Sequence, residues 1–270
     1  MTSDLPIGLF DSGVGGLTVL REVMRQLPQE STIYFGDTAR VPYGSKSRDV
    51  IIRYSIEIGQ FLLQEKVKMI VVACNTASAF ALPAMRQRFQ VPIVGVIAPG
   101  ARAALGATKT RRIGIIGTEG TIESQAYTEA IHYIDKAAEV FGQACPLIVP
   151  LVEEGWIDKP LAADIVREYL NPLLKNNIDS LVLGCTHYPL LKDLLARVAG
   201  PGVRLIDSAE ETARMVAREL KERGLEMSAG AAVLRRFYVS DAPDRFERTG
   251  KRFMGGEIPG VKRVDIGNWA

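Results

Sequence analysis

The sequence predicts an α/β protein of two pseudo-symmetric lobes, each a parallel-rich sheet flanked by helices, with the active site in the cleft between them. Three observations carry this expectation. Short apolar runs alternate with stretches of helical period, the rhythm of βα units. Two of the runs end alike: Met69-Ile70-Val71-Val72-Ala73 stops at Cys74, Ser180-Leu181-Val182-Leu183-Gly184 stops at Cys185, and polar residues follow each at once. The likeness extends upstream, where Ile7-Gly8-Leu9-Phe10-Asp11-Ser12 resembles Ile113-Gly114-Ile115-Ile116-Gly117-Thr118. Both pairs are offset by roughly a hundred residues, a normal domain length.

The elements follow in order. Runs rich in Val, Ile and Leu read as strands buried on both faces. The first starts at Ile7 and is followed by a helix on Leu17, Leu20, Met24 and Leu27, spaced by three and four. Further strands are expected at Thr32 to Gly36, Lys68 to Ala73, Pro92 to Val96, Arg112 to Ile116, Leu147 to Pro150, Ser180 to Gly184, Val203 to Ile206 and Phe237 to Ser240. Helical patterns fill most of the gaps. Ala98-Pro99-Gly100 reads as the crossover into the second lobe and Asp207-Ser208 as the exit. The first lobe would then comprise residues 1–97 plus 208–270, and the second residues 98–207.

Composition bounds the function. A chain of 270 residues with 47% hydrophobic content can bury a large core. Its net charge of +2 comes from interspersed signs without a basic block, so no nucleic-acid footprint is present; Lys109 to Arg112 reads as the solvated start of a strand. No apolar stretch is long enough for a membrane span, and Met1-Thr2-Ser3-Asp4 lacks the features of an export signal, which points to the cytoplasm. Three cysteines without such a signal favour reduced thiols over a disulfide framework. Cys145, before Pro146, reads as structural.

In open α/β sheets the ligand crevice lies beyond the carboxyl ends of the strands, which is where Cys74 and Cys185 fall. A single strand-end cysteine is more often a small buried hydrophobe; the duplication, with Asn75-Thr76 and Thr186-His187 beside the sulfurs, favours chemistry. Asp11-Ser12-Gly13-Val14-Gly15-Gly16 leads into a helix and could hold a carboxylate or phosphate. It is not a dinucleotide fingerprint, because position 18 is Thr18 rather than glycine, and Gly44-Ser45-Lys46-Ser47 is not a Walker loop. Zinc on Cys74, Cys185 and His187 is disfavoured, since the chain has only one other histidine, His132, and lacks the short ligand spacings of such sites.

Two thiols facing each other across a cleft suit the abstraction of an α-proton from one face of an amino acid and its return to the other. One thiolate base and one thiol acid are needed in every turnover. Because a thiol of ordinary pKa near 8.5 is mostly protonated at neutral pH, a neighbour must poise it, and Asp11 and His187 are the candidates. Asp11 would raise a nearby thiol by charge and serve to accept a proton or orient; a protonated His187 would favour thiolate. Asp11 as a helix N-cap and His187 as a cap or surface residue are the plainer alternatives.

Four segments together resemble the signatures of the glutamate racemase family: Asp11 to Leu17, Val41-Pro42-Tyr43-Gly44, Ala73-Cys74-Asn75-Thr76 and Gly184-Cys185-Thr186-His187-Tyr188-Pro189. The resemblance spans nearly the whole chain. It implies interconversion of L- and D-glutamate without a cofactor or metal, supplying D-glutamate for peptidoglycan, and a homodimer. It makes Cys74 and Cys185 the acid/base pair, with Asp11 assisting Cys74 on the D-isomer and His187 assisting Cys185 on the L-isomer. It further implies substrate binding by Ser12, Tyr43, Gly44, Ser45, Asn75, Thr76, Thr121 and Thr186, together with Asp11 and His187, and support for His187 from Glu153, a residue that otherwise reads as a solvated loop acid. Two other classes stay open on the residues alone. A non-catalytic amino-acid binder would gain nothing from two opposed thiols, and a Cys-dependent hydrolase with His187 as base would leave Cys74 without a role.

Overall fold

The computed structural model describes residues 3–266; Met1 and Thr2 of the N-terminal stretch and residues 267–270 of the expected first lobe lie outside the described residues. The chain runs β1 (Ile7–Asp11), α1 (Leu17–Gln26), β2 (Thr32–Gly36), α2 (Arg48–Gln64), β3 (Met69–Val72), α3 (Asn75–Arg88), β4 (Ile93–Gly95) and α4 (Ile97–Ala107). It continues through β5 (Arg112–Gly117), α5 (Glu119–Glu123), α6 (Ala126–Ile134), β6 (Glu139–Ala144), α7 (Ile148–Glu153), α8 (Pro160–Lys175) and β7 (Ser180–Gly184). A short 3₁₀ turn at Tyr188–Leu191 precedes α9 (Lys192–Ala199), β8 (Arg204–Asp207), α10 (Ser208–Arg223), β9 (Arg235–Val239), α11 (Pro243–Met254) and β10 (Lys262–Arg263).

The strands form two sheets, ordered β10-β9-β2-β1-β3-β4 and β6-β5-β7-β8, and every pairing is parallel. The order β2-β1-β3-β4 matches β6-β5-β7-β8, so the repeat read from the sequence is a repeat of topology. In each half a central strand carries the Ile-Gly start, and the strand beside it leads to a cysteine. Alternation along β1 sends Leu9 to one side and Phe10 to the other. Phe10, Ile70 and Val72 pack with Ile58, Phe61 and Leu62 of α2 and Ala77 and Met85 of α3. Leu9 and Val71 face a second, larger core, which includes Leu17 and Leu20 of α1, Ala101 of α4, Ile115, Val182 and Val216 of α10. That core runs without interruption from one sheet into the other.

One expectation needs correction. Leu147 to Pro150 is not a strand but leads into α7, where Ile148, Leu151 and Val152 are buried at helical spacing. Pro150 sits in the first turn, where a missing N–H costs nothing. The strand in this region is β6, at Glu139–Ala144, an edge strand with no fully buried residue and therefore no apolar run to announce it. Ala98-Pro99-Gly100, read as the crossover, lies in the first turns of α4, and Asp207, read as the exit, caps α10 by accepting the Ala209 N–H. No helix among the described residues is long and apolar enough to cross a membrane.

Candidate active site

The carboxyl ends of β1 and β3 in one sheet and of β5 and β7 in the other converge on a narrow cavity of about 50 Å³. Its walls bring together Ser12, Tyr43, Gly44, Cys74, Asn75 and Thr76 from the first lobe with Cys185, Thr186 and His187 from the second. Both thiols are free and only 6% exposed. Of the remaining expected residues, Ser45 and Glu153 line an adjoining cavity of about 340 Å³, while Asp11 and Thr121 are buried just behind the walls.

The lobes interlock around the site. Thr18 of α1 donates its hydroxyl to the carbonyl of Thr186 at 3.0 Å, and the Gly120 N–H donates to the carbonyl of Gly44 at 3.0 Å. A Cβ on Gly15 would lie 2.3 Å from Thr186 Oγ1 and 2.5 Å from His187 Nδ1, so only glycine lets the β1–α1 loop approach the second thiol's loop this closely. Thr76, Thr118 and Thr121 join their hydroxyls in a triangle across the cleft, at 2.9, 3.0 and 3.3 Å.

Each thiol has its own company. Cys74 occupies the N-cap of α3, where its sulfur accepts the Ala77 N–H at 3.5 Å and lies 3.9 Å from Ser12 Oγ. A helix N-terminus favours thiolate, but burial dominates here, and with the charge of Asp11 it pushes the thiol up to about 12. Asp11 is not a helix N-cap; its Oδ2 accepts the Gly13 N–H at 3.0 Å and its Oδ1 has no protein partner. Burial raises the Asp11 carboxyl, against the charge of His187 and the N–H donors around it.

On the other wall, Cys185 Sγ lies 3.9 Å from His187 Nδ1, and His187 Nε2 lies 3.0 Å from Glu153 Oε1. Burial works against the imidazolium, yet hydrogen bonds to Cys185 and Glu153 outweigh it and push His187 up to about 10. The same hydrogen bond from His187 holds the Glu153 carboxyl low. A doubly protonated ring satisfies both neighbours at once, donating to the carboxylate and to sulfur.

Two placements differ in detail from what residue types suggest. The Tyr43 hydroxyl does not face the cavity; it donates to buried Asp37, which also accepts from Arg40 Nε at 2.7 Å and Ser240 Oγ at 2.8 Å. Tyr43 therefore offers the cavity its ring and backbone. Asn75 Oδ1 accepts from the Tyr127 hydroxyl at 2.8 Å, which leaves Nδ2 a buried donor without a protein partner beside the cavity. Thr118, which lines the cavity and caps α5, was not among the expected residues. It is the counterpart of Ser12 in the internal repeat, and that alignment was the signal that could have found it. No group of three or more His, Cys, Asp or Glu side chains among the described residues could hold a metal ion.

The profile of the Asp/Glu/Hydantoin racemase family matches residues 7–216. The chain belongs to that family. It is 54% identical over 260 residues to the glutamate racemase of Geobacter metallireducens, with 96% of each chain covered. The glutamate racemase isoform RacE1 from Bacillus anthracis superimposes with a TM-score of 0.94 at 42% identity, covering 97% of this chain and 98% of that one. The glutamate racemase of Francisella tularensis in complex with D-glutamate gives 0.92 at 36% identity, covering 98% and 99%. The glutamate racemase resemblance seen in the four motifs thus extends to the whole fold, two lobes with parallel sheets flanked by helices.

Proposed function

We propose that this racemase interconverts L- and D-glutamate without a cofactor, by α-proton transfer between Cys74 and Cys185. The observation that carries the reading is that one thiol from each lobe lines the same cavity, each beside a different titratable partner. In the L-to-D direction Cys185, having passed its proton to the His187 beside it, takes the α-proton, and the Cys74 thiol delivers one to the opposite face. In the D-to-L direction Cys74 must first lose its proton. Asp11 accepts it, and the upward shift of that buried carboxyl makes it a competent acceptor, while Cys185, protonated from His187, delivers a proton to the opposite face.

Binding holds the substrate between the sulfurs, where proximity replaces a bimolecular encounter. The hydroxyls of Ser12, Thr76, Thr118 and Thr186, the orphaned Asn75 Nδ2 and the backbone of Tyr43 and Gly44 supply donors for the carboxylates. Ser45 extends this set toward the mouth, and Thr121 braces Thr76 and Thr118. The lobes that close on the substrate lie within residues 1–97 with 208–270 and residues 98–207; α4 packs on β7 and α6, α10 packs on α1, and the two helices meet each other at the boundary. The product supplies D-glutamate for peptidoglycan in the cytoplasm.

Incubation with L-glutamate in D2O under reducing conditions tests the reading. Optical rotation decays to zero with deuterium at the α-carbon, and Cys74→Ser and Cys185→Ser each slow the decay by about 10²- to 10⁴-fold. Absence of exchange would leave an amino-acid binder; hydrolytic turnover that survives Cys74→Ser would indicate a cysteine hydrolase.

A further inference from the structure

The last turn of α11 touches both members of the His187–Glu153 pair from the opposite lobe. Arg252 donates from Nη2 to the Glu153 carbonyl at 2.8 Å and from Nη1 to the Val152 carbonyl at 3.3 Å. These are carbonyls at the C-terminal end of α7, the negative end of its dipole, where a guanidinium is favoured. Gly155, at φ +72, makes room for the grip, because a Cβ there would lie 2.4 Å from Arg252 Nη1. The next residue, Phe253, is fully buried and meets the His187 ring edge-on, with centroids 5.2 Å apart at 83°. The turn is in turn tied to α1, since Arg21 Nη1 donates to the Phe253 carbonyl at 3.1 Å.

We propose that Arg252 is a positioning residue: by holding the end of α7 it seats the Glu153 carboxylate on His187 Nε2, so that the Cys185 wall is complete only while the two lobes are together. The proposal rests on the reading of His187 and Glu153 given above. The groups that face His187 are Cys185 on its own loop, Asp11 on β1 and Glu153 on α7, and Arg245 and Arg252 of α11 act on it through Glu153. When Glu153 leaves, the imidazolium loses a partner that favours the charged form, so His187 deprotonates at lower pH and the alkaline limb of activity moves down.

The test is the pH profile of kcat/KM for glutamate racemisation in Arg252→Met, Arg252→Lys, Glu153→Gln and the Glu153→Gln/Arg252→Met double variant, with melting temperatures alongside. Arg252→Met is expected to shift the alkaline limb downward and to cost roughly ten- to a hundredfold, the scale of a small misplacement of a catalytic group. Arg252→Lys restores part of the shift, and the double variant shifts no further than Glu153→Gln alone. An Arg252→Met profile that coincides with the parent while Glu153→Gln is shifted overturns the proposal, whatever happens to the melting temperature. A Glu153→Gln profile that coincides with the parent removes the reading of the pair itself, and the proposal with it. Arg252 is solvent-exposed, so the Met and Lys variants are expected to fold, and the Lys variant carries the test if the Met variant does not.

Discussion

The two walls of the cleft are built on one plan and chemically furnished on two. In each lobe a central strand with Ile-Gly in its first residues lies beside the strand that leads to the thiol, and both sulfurs are equally buried. The partners do not correspond. Asp11, behind Cys74, sits where the second lobe has Gly117; His187, beside Cys185, sits where the first lobe has Thr76. One thiol is backed by a carboxyl and pushed up by burial, while the other faces an imidazole held toward its charged form. Enantiomers have equal free energy, so kcat/KM must be the same in both directions however unlike the walls are. The duplicated backbone fixes where the thiols stand, and the unlike partners fix the company each one keeps.

The largest effect should come from the features the walls share. Cys74→Ser and Cys185→Ser are each expected to cost racemisation about 10²- to 10⁴-fold, the usual worth of a general acid or base, and a difference of many-fold between them in kcat/KM would break the comparison. Next come the features they do not share. Asp11→Asn and His187→Asn should each lower kcat/KM equally in both directions. The isotope effect with α-deuterated substrate, however, should grow for D-glutamate in the first variant and for L-glutamate in the second, because each partner serves a different abstracting thiol. Equal isotope effects in both variants would mean that the partners are interchangeable.

A subtler contrast is in stability. His187 is raised from 6.5 to about 10 in the folded protein, so the stabilisation it adds is fully present below pH 6.5 and fades as pH rises toward 10. Melting curves across that window should fall more steeply for the parent than for His187→Asn, and parallel curves would deny the shift. The smallest effect belongs to Thr118→Val, which removes one donor from the cavity wall. A rise of about fivefold in KM for glutamate is expected, from a hydrogen bond worth about 1 kcal/mol. The same loss for Ser12→Ala would make the repeat functional as well as topological.

The legible parts of this molecule were those written locally. β7 was expected at Ser180 to Gly184 and is found there, because a buried parallel strand is apolar along its whole length. Leu147 to Pro150 has the same composition over a shorter run, too short for its period to be read, and packing of Ile148, Leu151 and Val152 decided for helix. β6 was hidden by its half-exposed edge position. Among the site residues, Cys74, Cys185, Asn75, Thr76, Thr186 and His187 announced themselves at strand ends. Asp37 and Arg252 did not, since the first matters only through the hydroxyl of Tyr43 and the second through carbonyls a hundred positions away. Side-chain type can suggest a donor; only the fold says to whom it is given.

The uninterrupted core that joins the two sheets has a practical meaning for ligand discovery. Unfolding of either lobe exposes apolar surface that belongs to both, so the molecule should melt as one unit, and anything clasped between the thiols must raise the temperature of that single transition. A thermal-shift experiment then works as a binding assay with an unusual calibration: while the enzyme is active, a titration begun with either enantiomer ends by reporting on the racemate, and only a Cys74→Ser or Cys185→Ser protein can weigh L- and D-glutamate separately.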